Sequence, residues 1–250
     1  IGICAYNEEK NIARLLENLI TKQDLAPDSE ILVVCSGCTD STPKVVSLFC
    51  EKDRRVKLIV EPTRQGKAHA FNKILDLYQG EVLVNVDADH FPLPKVINHL
   101  LRHFDDRTIG AVSGCRVPVT GSNFMSKVNL AIWSLHNSTQ EYYNDQRGGA
   151  HLGGVLYAVR RGICTRMPEN IVNDDAFIGV ECIRKGYKVH FERRAVVFFQ
   201  GAENLSEFVT QRRRIVYGHY EVKRETGRKP KVLEMAPLRD KFEIVCAWLS

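Results

Sequence analysis

The chain is short of the features that most often announce a function. None of its 17 glycines forms a GxGxxG turn or a GxxxxGK[ST] loop, which excludes the dinucleotide fingerprint and the P-loop. A bound phosphate therefore has no glycine-rich cradle, and a metal ion would have to do that work. No apolar run is long enough to cross a bilayer, and no signal peptide is visible. One CxxC occurs, Cys35-Ser36-Gly37-Cys38, without a second to complete a zinc site; a redox pair is the lesser reading of it. Charge of one sign is also scarce. A net +5 over 250 residues suits an anionic substrate or an acidic membrane surface and does not require nucleic acid.

What is present is a globular composition, 44% hydrophobic and 26% charged, enough to bury the core of one large α/β domain or two small ones. Cys4, Cys35, Cys50, Cys115 and Cys182 sit inside apolar runs, as reduced buried thiols of a cytosolic compartment do. Positive charge gathers late, at Arg212, Arg213, Arg214, Lys223, Arg224, Arg228, Lys229 and Lys231. The first residue is Ile1, inside what reads as a first strand, and the apolar segment Ile244–Leu249 stops abruptly. We therefore expect a piece of a longer protein whose missing flanks carry membrane helices, the piece itself being soluble at the cytoplasmic face of a membrane.

The chain is organised around Glu81–Pro94, EVLVNVDADHFPLP. Val82, Leu83, Val84 and Val86 predict a short buried strand. Asp87 and Asp89 arrive where the apolar run stops. Side chains two apart in an extended segment point the same way, so the two carboxylates can face one hard divalent cation. A polar turn with two solvated aspartates would look the same in isolation. Pro92 and Pro94 are then expected to open a helix.

Strand and helix patterns alternate through the first half: Ile1–Ala5, a helix with Ile12, Leu15, Leu16 and Leu19 inward, Ile31–Val34, a helix near Pro43, Val56–Val60, and a helix carrying Phe71, Ile74 and Leu75. That order predicts a mostly parallel sheet with helices on both faces. Its carboxyl edge would gather Tyr6–Glu8, Cys35–Asp40, Arg64–Lys67 and Asp87–His90 into one crevice. Asn7 is expected to cap the first helix, and Asp40 or Ser41 the second. Lys67, a cation at a helix start, suggests an anion shared with it. After the strand Ile109–Pro118 comes an amphipathic helix, Phe124–Asn144, expected to pack Phe124, Val128, Ala131, Ile132 and Leu135 on the sheet and to leave Trp133 and the Tyr142-Tyr143 pair outside. Gln146–Gly154, rich in glycine around His151, reads as a loop that a ligand can approach. Asp175 opens a helix, as a cap or as a general base. Strands Tyr187–Glu192 and Ala195–Phe199 follow, then a basic helix, Asn204–Tyr220.

With these stretches in place the chain resembles glycosyltransferase family 2, the inverting enzymes of the GT-A (Rossmann-like) fold, and the DADH followed by proline resembles its membrane-associated, polysaccharide-synthase branch. The matching pieces come in the family's order: Ala5-Tyr6-Asn7-Glu8-Glu9, Ser36-Gly37-Cys38-Thr39-Asp40, Gly66-Lys67, Asp87-Ala88-Asp89, Asp174-Asp175 and Gln211-x-x-Arg214. The resemblance implies a single catalytic domain over 1–250, with a nucleotide-sugar half (1–118), an acceptor half (119–220) and a basic tail (221–250). It implies Asp87 and Asp89 as the seat of Mg2+ or Mn2+, Asp175 as general base, and Tyr6, Glu8, Ser36, Asp40, Lys67, Asp87, Gln211 and Arg214 around a nucleoside-diphosphate sugar. A UDP-sugar is the favoured donor, and a glycan or lipid the acceptor. The chain departs from the pattern at Cys35-Ser36, where an aspartate pair is common, and at Ile215, where the motif has tryptophan. Two other readings were weighed: a nucleotide-sugar-binding module without turnover, and a sugar-1-phosphate nucleotidyltransferase, whose glycine- and arginine-rich loop after the first strand is replaced here by Tyr6-Asn7-Glu8-Glu9.

Overall fold

The computed structural model describes residues 1–144 and 149–249. The chain builds one eight-stranded sheet. Its strands are β1 (Gly2–Ala5), β2 (Ile31–Ser36), β3 (Val56–Glu61), β4 (Val82–Val86), β5 (Phe91–Pro92), β6 (Ile109–Pro118), β7 (Leu156–Arg160) and β8 (Lys188–Phe199), in the order β3-β2-β1-β4-β7-β6-β8-β5. β1 pairs in parallel with β2 and β4, β2 with β3, and β6 with β8. β7 runs against both β4 and β6, and β5 runs against β8. The sheet is thus mixed rather than simply parallel. Because β7 is reversed, its beginning stands at the same edge as the end of β4, and the glycine loop before it arrives beside Asp87.

Helices cover both faces: α1 (Ile12–Lys22), α2 (Thr42–Lys52), α3 (Lys67–Leu77), α4 (Val96–Leu101), α5 (Phe124–Asn144), α6 (Asp174–Arg184), α7 (Leu205–Thr226) and α8 (Leu238–Leu249). Two apolar layers result. One joins Leu15, Leu16, Leu19, Val33, Val84 and Val86; the other joins Phe71, Ile74, Tyr157, Ile178 and Val180. This burial is the main driving force for the fold.

Several local expectations need correction. Phe91–Pro92 is a short antiparallel strand on β8 before α4 begins, because both residues can pair at a sheet edge. The two predicted strands Tyr187–Glu192 and Ala195–Phe199 are one strand, with its pairing shifted between Glu192 and Val196. Asn7 does not cap α1. It sits at φ 57° and its Oδ1 accepts from the Thr39 backbone N at 2.8 Å, joining two loops. Helix α5 faces the other way: Met125, Asn129, Trp133, Thr139, Gln140 and Tyr143 are buried, whereas Phe124 is 75% exposed. Backbone groups meet part of its inward polar surface, Asn129 Nδ2 donating to Ala202 O at 2.9 Å and His151 N donating to Gln140 Oε1 at 2.9 Å. Of the glycine loop, residues 145–148, which include Gln146 and Gly148, lie outside the described residues. Among the described residues no helix is long and apolar enough to cross a membrane.

Candidate active-site cleft

The carboxyl edge of the sheet opens into a cleft with three adjoining compartments. The first, of 350 Å3, is lined by Tyr6, Glu8, Ser36, Lys67, Asp87, Asp89 and Arg214 among others. The second, of 570 Å3, shares Asp87, Asp89 and Arg214 with the first and adds His90, Arg116, Trp133 and Gln211. The third, of 70 Å3, shares Arg116, Trp133, Asn173 and Ile215 with the second and contains Asp175. One further expected site residue, Asp40, lines none of them. Its Oδ1 accepts from Thr42 N at 2.9 Å and from Thr42 Oγ1 at 2.6 Å, which pins the start of α2, and Oδ2 accepts from Glu9 N at 3.1 Å.

Lys67 holds the cleft together. Its Nζ donates to Asp87 Oδ1 at 2.9 Å and lies 3.4 Å from Asp174 Oδ2. The anions that its position at the start of α3 suggested are therefore the chain's own. Burial opposes the lysine's charge, but Asp174 and Asp87 outweigh it and hold its pKa well above the ordinary value. Asp174 is pushed up to about 6, chiefly by burial, with Lys67 pulling the other way and Asp175 and Asp87 adding to the rise. Tyr157 lies behind it, with its hydroxyl 3.5 Å from Asp174 Oδ2.

Asp174 and Asp175 have divided their work. Asp174 is buried against Lys67. Asp175, one step on in the first turn of α6, is half-buried and faces the third compartment. Its Oδ1 accepts from Ala176 N at 2.8 Å. Its Oδ2 lies against Gly154, where a Cβ would come within 2.6 Å, so only glycine leaves that oxygen its place. Gly154 in turn precedes Val155, whose carbonyl accepts from Asp87 N at 3.2 Å. Residues separated by up to about a third of the sequence thus meet at one point of the edge.

Asp87 and Asp89 fit a hard cation in a particular way. Asp89 has a 55% exposed side chain turned to the cleft. Beside it, buried His90 Nδ1 stands 2.5 Å from Asp89 Oδ1, but off the hydrogen-bond direction, and has no hydrogen-bond partner. Among the described residues, the three-ligand grouping compact enough for one ion is His103, His190 and Glu192, none of which lines the cleft. Within the cleft, Asp87 and Asp89 are the pair of carboxylates that could hold a metal ion. That donor set suits a Mg2+-like ion whose other ligands are water and phosphate oxygens.

Residues not singled out from sequence complete the wall: Arg116, His136, Asn173, His219 and Glu234, together with His151 of the glycine loop and Trp133, which sequence placed outside. Arg116 had a signal, being a lone charge inside the apolar strand β6. His151 had one too, among its glycines. Cys35 and Cys38 are free thiols.

Known proteins share the fold. The family model of glycosyl transferase family 2 matches residues 1–167. A β-monoglucosyldiacylglycerol synthase from a Nostoc species is 28% identical over 181 residues, covering 70% of this chain and 39% of the relative, so the chain spans about two fifths of that protein's length. Among solved structures, the mannosyltransferase PcManGT from Pyrobaculum calidifontis, in complex with GDP-Man and Mn2+, superposes with a TM-score of 0.71 at 24% identity, covering 92% of this chain and 64% of its own. S. aureus TarS (residues 1–349) in complex with UDP superposes with a TM-score of 0.62 at 17% identity, covering 99% and 69%.

Proposed function

The chain belongs to glycosyl transferase family 2, and from that premise we propose that its cleft moves a sugar from a nucleoside-diphosphate sugar to an acceptor hydroxyl with inversion at the anomeric carbon. The observation that carries this reading is the convergence of Asp87, Asp174 and, beside it, Asp175 on Lys67 and Gly154. It supports a reading in which a cation seat and a free carboxylate oxygen share one cleft.

The donor occupies the first compartment, in the half formed by residues 1–118. Arg64, stacked 3.8 Å over the Tyr6 ring, closes one side, and buried Ser36 Oγ, which has no hydrogen-bond partner, faces the ligand. A UDP-sugar is the favoured donor; the relative solved with UDP supports it, and the one solved with GDP-Man keeps a guanosine donor in play. Asp89, with Asp87, would hold Mg2+ or Mn2+; when bound, that ion offsets the charge of the departing diphosphate. Arg214 lines both larger compartments and adds donors for the same charge, and Gln211 stands one turn away.

The acceptor, a glycan or lipid, enters from the half formed by residues 119–220. Asp175 takes the proton from its hydroxyl through Oδ2, so the attack comes from the face opposite the leaving group and inverts the centre. Asp174 is unsuited to this task because it is buried on Lys67. Membrane association fits the exposed apolar side chains of α8, where Leu238 is 84%, Phe242 72% and Leu249 71% exposed. The test of the proposal is Asp175→Asn. Binding of nucleotide with Mn2+ should persist while transfer falls by roughly 10²–10⁴-fold, the usual contribution of a positioned base; turnover near that of the unmutated enzyme rejects the assignment.

A further inference from the structure

The compartment that contains Asp175 holds two guanidinium groups on one indole. The Arg116 guanidinium lies 4.7 Å from the Trp133 ring centre and the Arg212 guanidinium 5.0 Å from it. Arg116 is 8% exposed and Trp133 4%. Gly153 makes the room: a Cβ there would come within 2.3 Å of Arg116 Nη2.

Neither charge is met by a carboxylate. Arg116 Nη2 makes a neutral contact with His136 Nε2 at 3.3 Å. Burial, followed by the charge of Arg116, keeps the pKa of His136 well below its ordinary value, so that the ring accepts rather than repels. Arg212 Nε is buried without a hydrogen-bond partner. Of the two carboxylates of the compartment, Glu234 stands 2.5 Å from His219 Nδ1, and Asp175 holds Oδ1 on Ala176 N and Oδ2 against Gly154. Among the described residues, no ion pair involves Arg116 or Arg212. Burial lowers the pKa of both arginines; Asp175 opposes that for Arg116 and Glu234 for Arg212, while the charge of Arg212 adds to it for Arg116. Two like charges brought together out of water are costly unless an anion joins them, and planar guanidinium forks match phosphate oxygens closely.

The donor does not supply that anion. Its diphosphate is served from the first compartment by the Asp87–Asp89 seat and Arg214, and Arg212 lines only the compartment of Asp175. With 70 Å3, this compartment is far smaller than the ~300 Å3 at which pockets begin to take a whole organic ligand. It suits a small tetrahedral group attached to something larger in the 570 Å3 space next to it.

We infer that the acceptor carries a phosphate close to the hydroxyl that is glycosylated, and that Arg116 and Arg212 seat this phosphate against Trp133 beside Asp175. This deepens the glycosyltransferase reading and rests on it. The phosphate fixes the hydroxyl near Asp175 Oδ2 and selects against neutral sugars or alcohols of the same shape. It can belong to a soluble phosphate ester or to a lipid headgroup.

The test uses the chain saturated with Mn2+ and whichever of UDP and GDP binds. Glycerol phosphate and glycerol are titrated into it calorimetrically. Glycerol phosphate should bind and glycerol should not at the same concentrations. Arg212→Gln should weaken glycerol phosphate by roughly tenfold to a hundredfold, the loss of a charge-assisted contact, with nucleotide affinity kept; Arg212→Lys should recover part of it. Phosphatidylglycerol vesicles that displace glycerol phosphate from the unmutated chain, and not from Arg212→Gln, identify a lipid headgroup as the source; binding that persists against them identifies a soluble ester. Equal binding of glycerol and glycerol phosphate, or no binding of glycerol phosphate while the nucleotide binds normally, overturns the inference with the unmutated chain alone. Failure of both nucleotides to bind with Mn2+ overturns the glycosyltransferase reading and this inference with it.

Discussion

Lys67 and Asp174 are 107 positions apart in sequence and 3.4 Å apart in space, Nζ to Oδ2. The same ammonium donates to Asp87 at 2.9 Å, so the residue just past the end of β4 and the first turn of α6 are tied through one charge. Two carboxylates brought this close repel each other, and α6 can deliver Asp175 to the cleft only while a cation stands between them.

Replacing Lys67 with Met should therefore destabilise the fold. Removing one partner of a buried ion pair costs about 3–5 kcal/mol; the Lys67 side chain is 36% exposed, which brings the expectation down to about 2 kcal/mol. Urea unfolding checks it. Adding Asp174→Asn to the Lys67→Met variant should recover more than half of the loss, because the repulsion goes with the charge. Strictly additive losses would show that the two groups are not coupled.

Gly154→Ala tests the placement of Asp175 without touching its charge. The new methyl would stand 2.6 Å from Asp175 Oδ2 and 3.0 Å from its carboxyl carbon, so the carboxylate must swing away. Transfer should fall by roughly 10²-fold, as for a misplacement of about 1 Å, with nucleotide affinity and melting temperature little changed. Retained transfer in a folded variant would separate Asp175 from the reaction.

The parts of this cleft that were legible in sequence are those where the residue type and the local pattern change together. Asp87 and Asp89 end an apolar run, and Asp175 begins one, so both motifs announce an element boundary. The facing wall gave no such sign. Helical spacing identified α5 but not its inward side, because Asn129 Nδ2 and Gln140 Oε1 meet backbone groups that only the folded chain brings to them. In sequence Asn7 reads as a local cap, and Asp40 both as a cap of the second helix and as a ligand residue. Asn7 instead joins the first loop to the second, and Asp40 fixes the second loop to the start of α2, with a bond back to Glu9. The reversal of β7, which brings Gly154 to Asp87, depends on pairing with strands on both sides and leaves no mark in its own five residues.

Acid stability should be set largely away from the cleft, at Glu192. This buried carboxylate pairs with Arg102, shares a hydrogen bond of 2.6 Å with His103 Nε2 and accepts from Arg194 N at 2.8 Å. Burial would raise its pKa, but His103, Arg194 and Arg102 together pull it down from 4.5 to about 2. A folded value below the unfolded one stabilises the fold above pH 4.5, and that contribution, on the order of 3 kcal/mol, is lost as pH falls toward 2. Asp174 works in the opposite sense. Its folded value of about 6 lies above the unfolded one, so its protonation on going below pH 6 favours the fold. Stability should therefore peak in mildly acidic buffer and then drop steeply. Glu192→Gln should flatten the drop between pH 4.5 and 2 and lower stability at neutral pH; an unchanged acid limb in denaturant titrations would contradict this.

Asp89→Asn separates the cation from the rest of the donor site. Asp87 is already neutralised by Lys67, whereas Asp89 is the more exposed carboxylate, turned to the cleft next to the unpaired His90 nitrogen. The loss of charge should thus fall on the cation and not on the fold, which buries little of this side chain. Calorimetric titration should show that Mn2+ strengthens nucleotide binding to the unmutated chain, and that a chelator removes the gain. In Asp89→Asn the gain should be absent from the start, while the weaker metal-free binding, made through Tyr6, Glu8, Ser36 and Arg214, stays as it was. Asp87→Asn should behave differently, because it also strips Lys67 of one partner: both metal-dependent and metal-free binding should weaken, and the unfolding midpoint should fall. If both variants keep the Mn2+ enhancement, the ion has its seat elsewhere and Asp87 serves only to anchor Lys67.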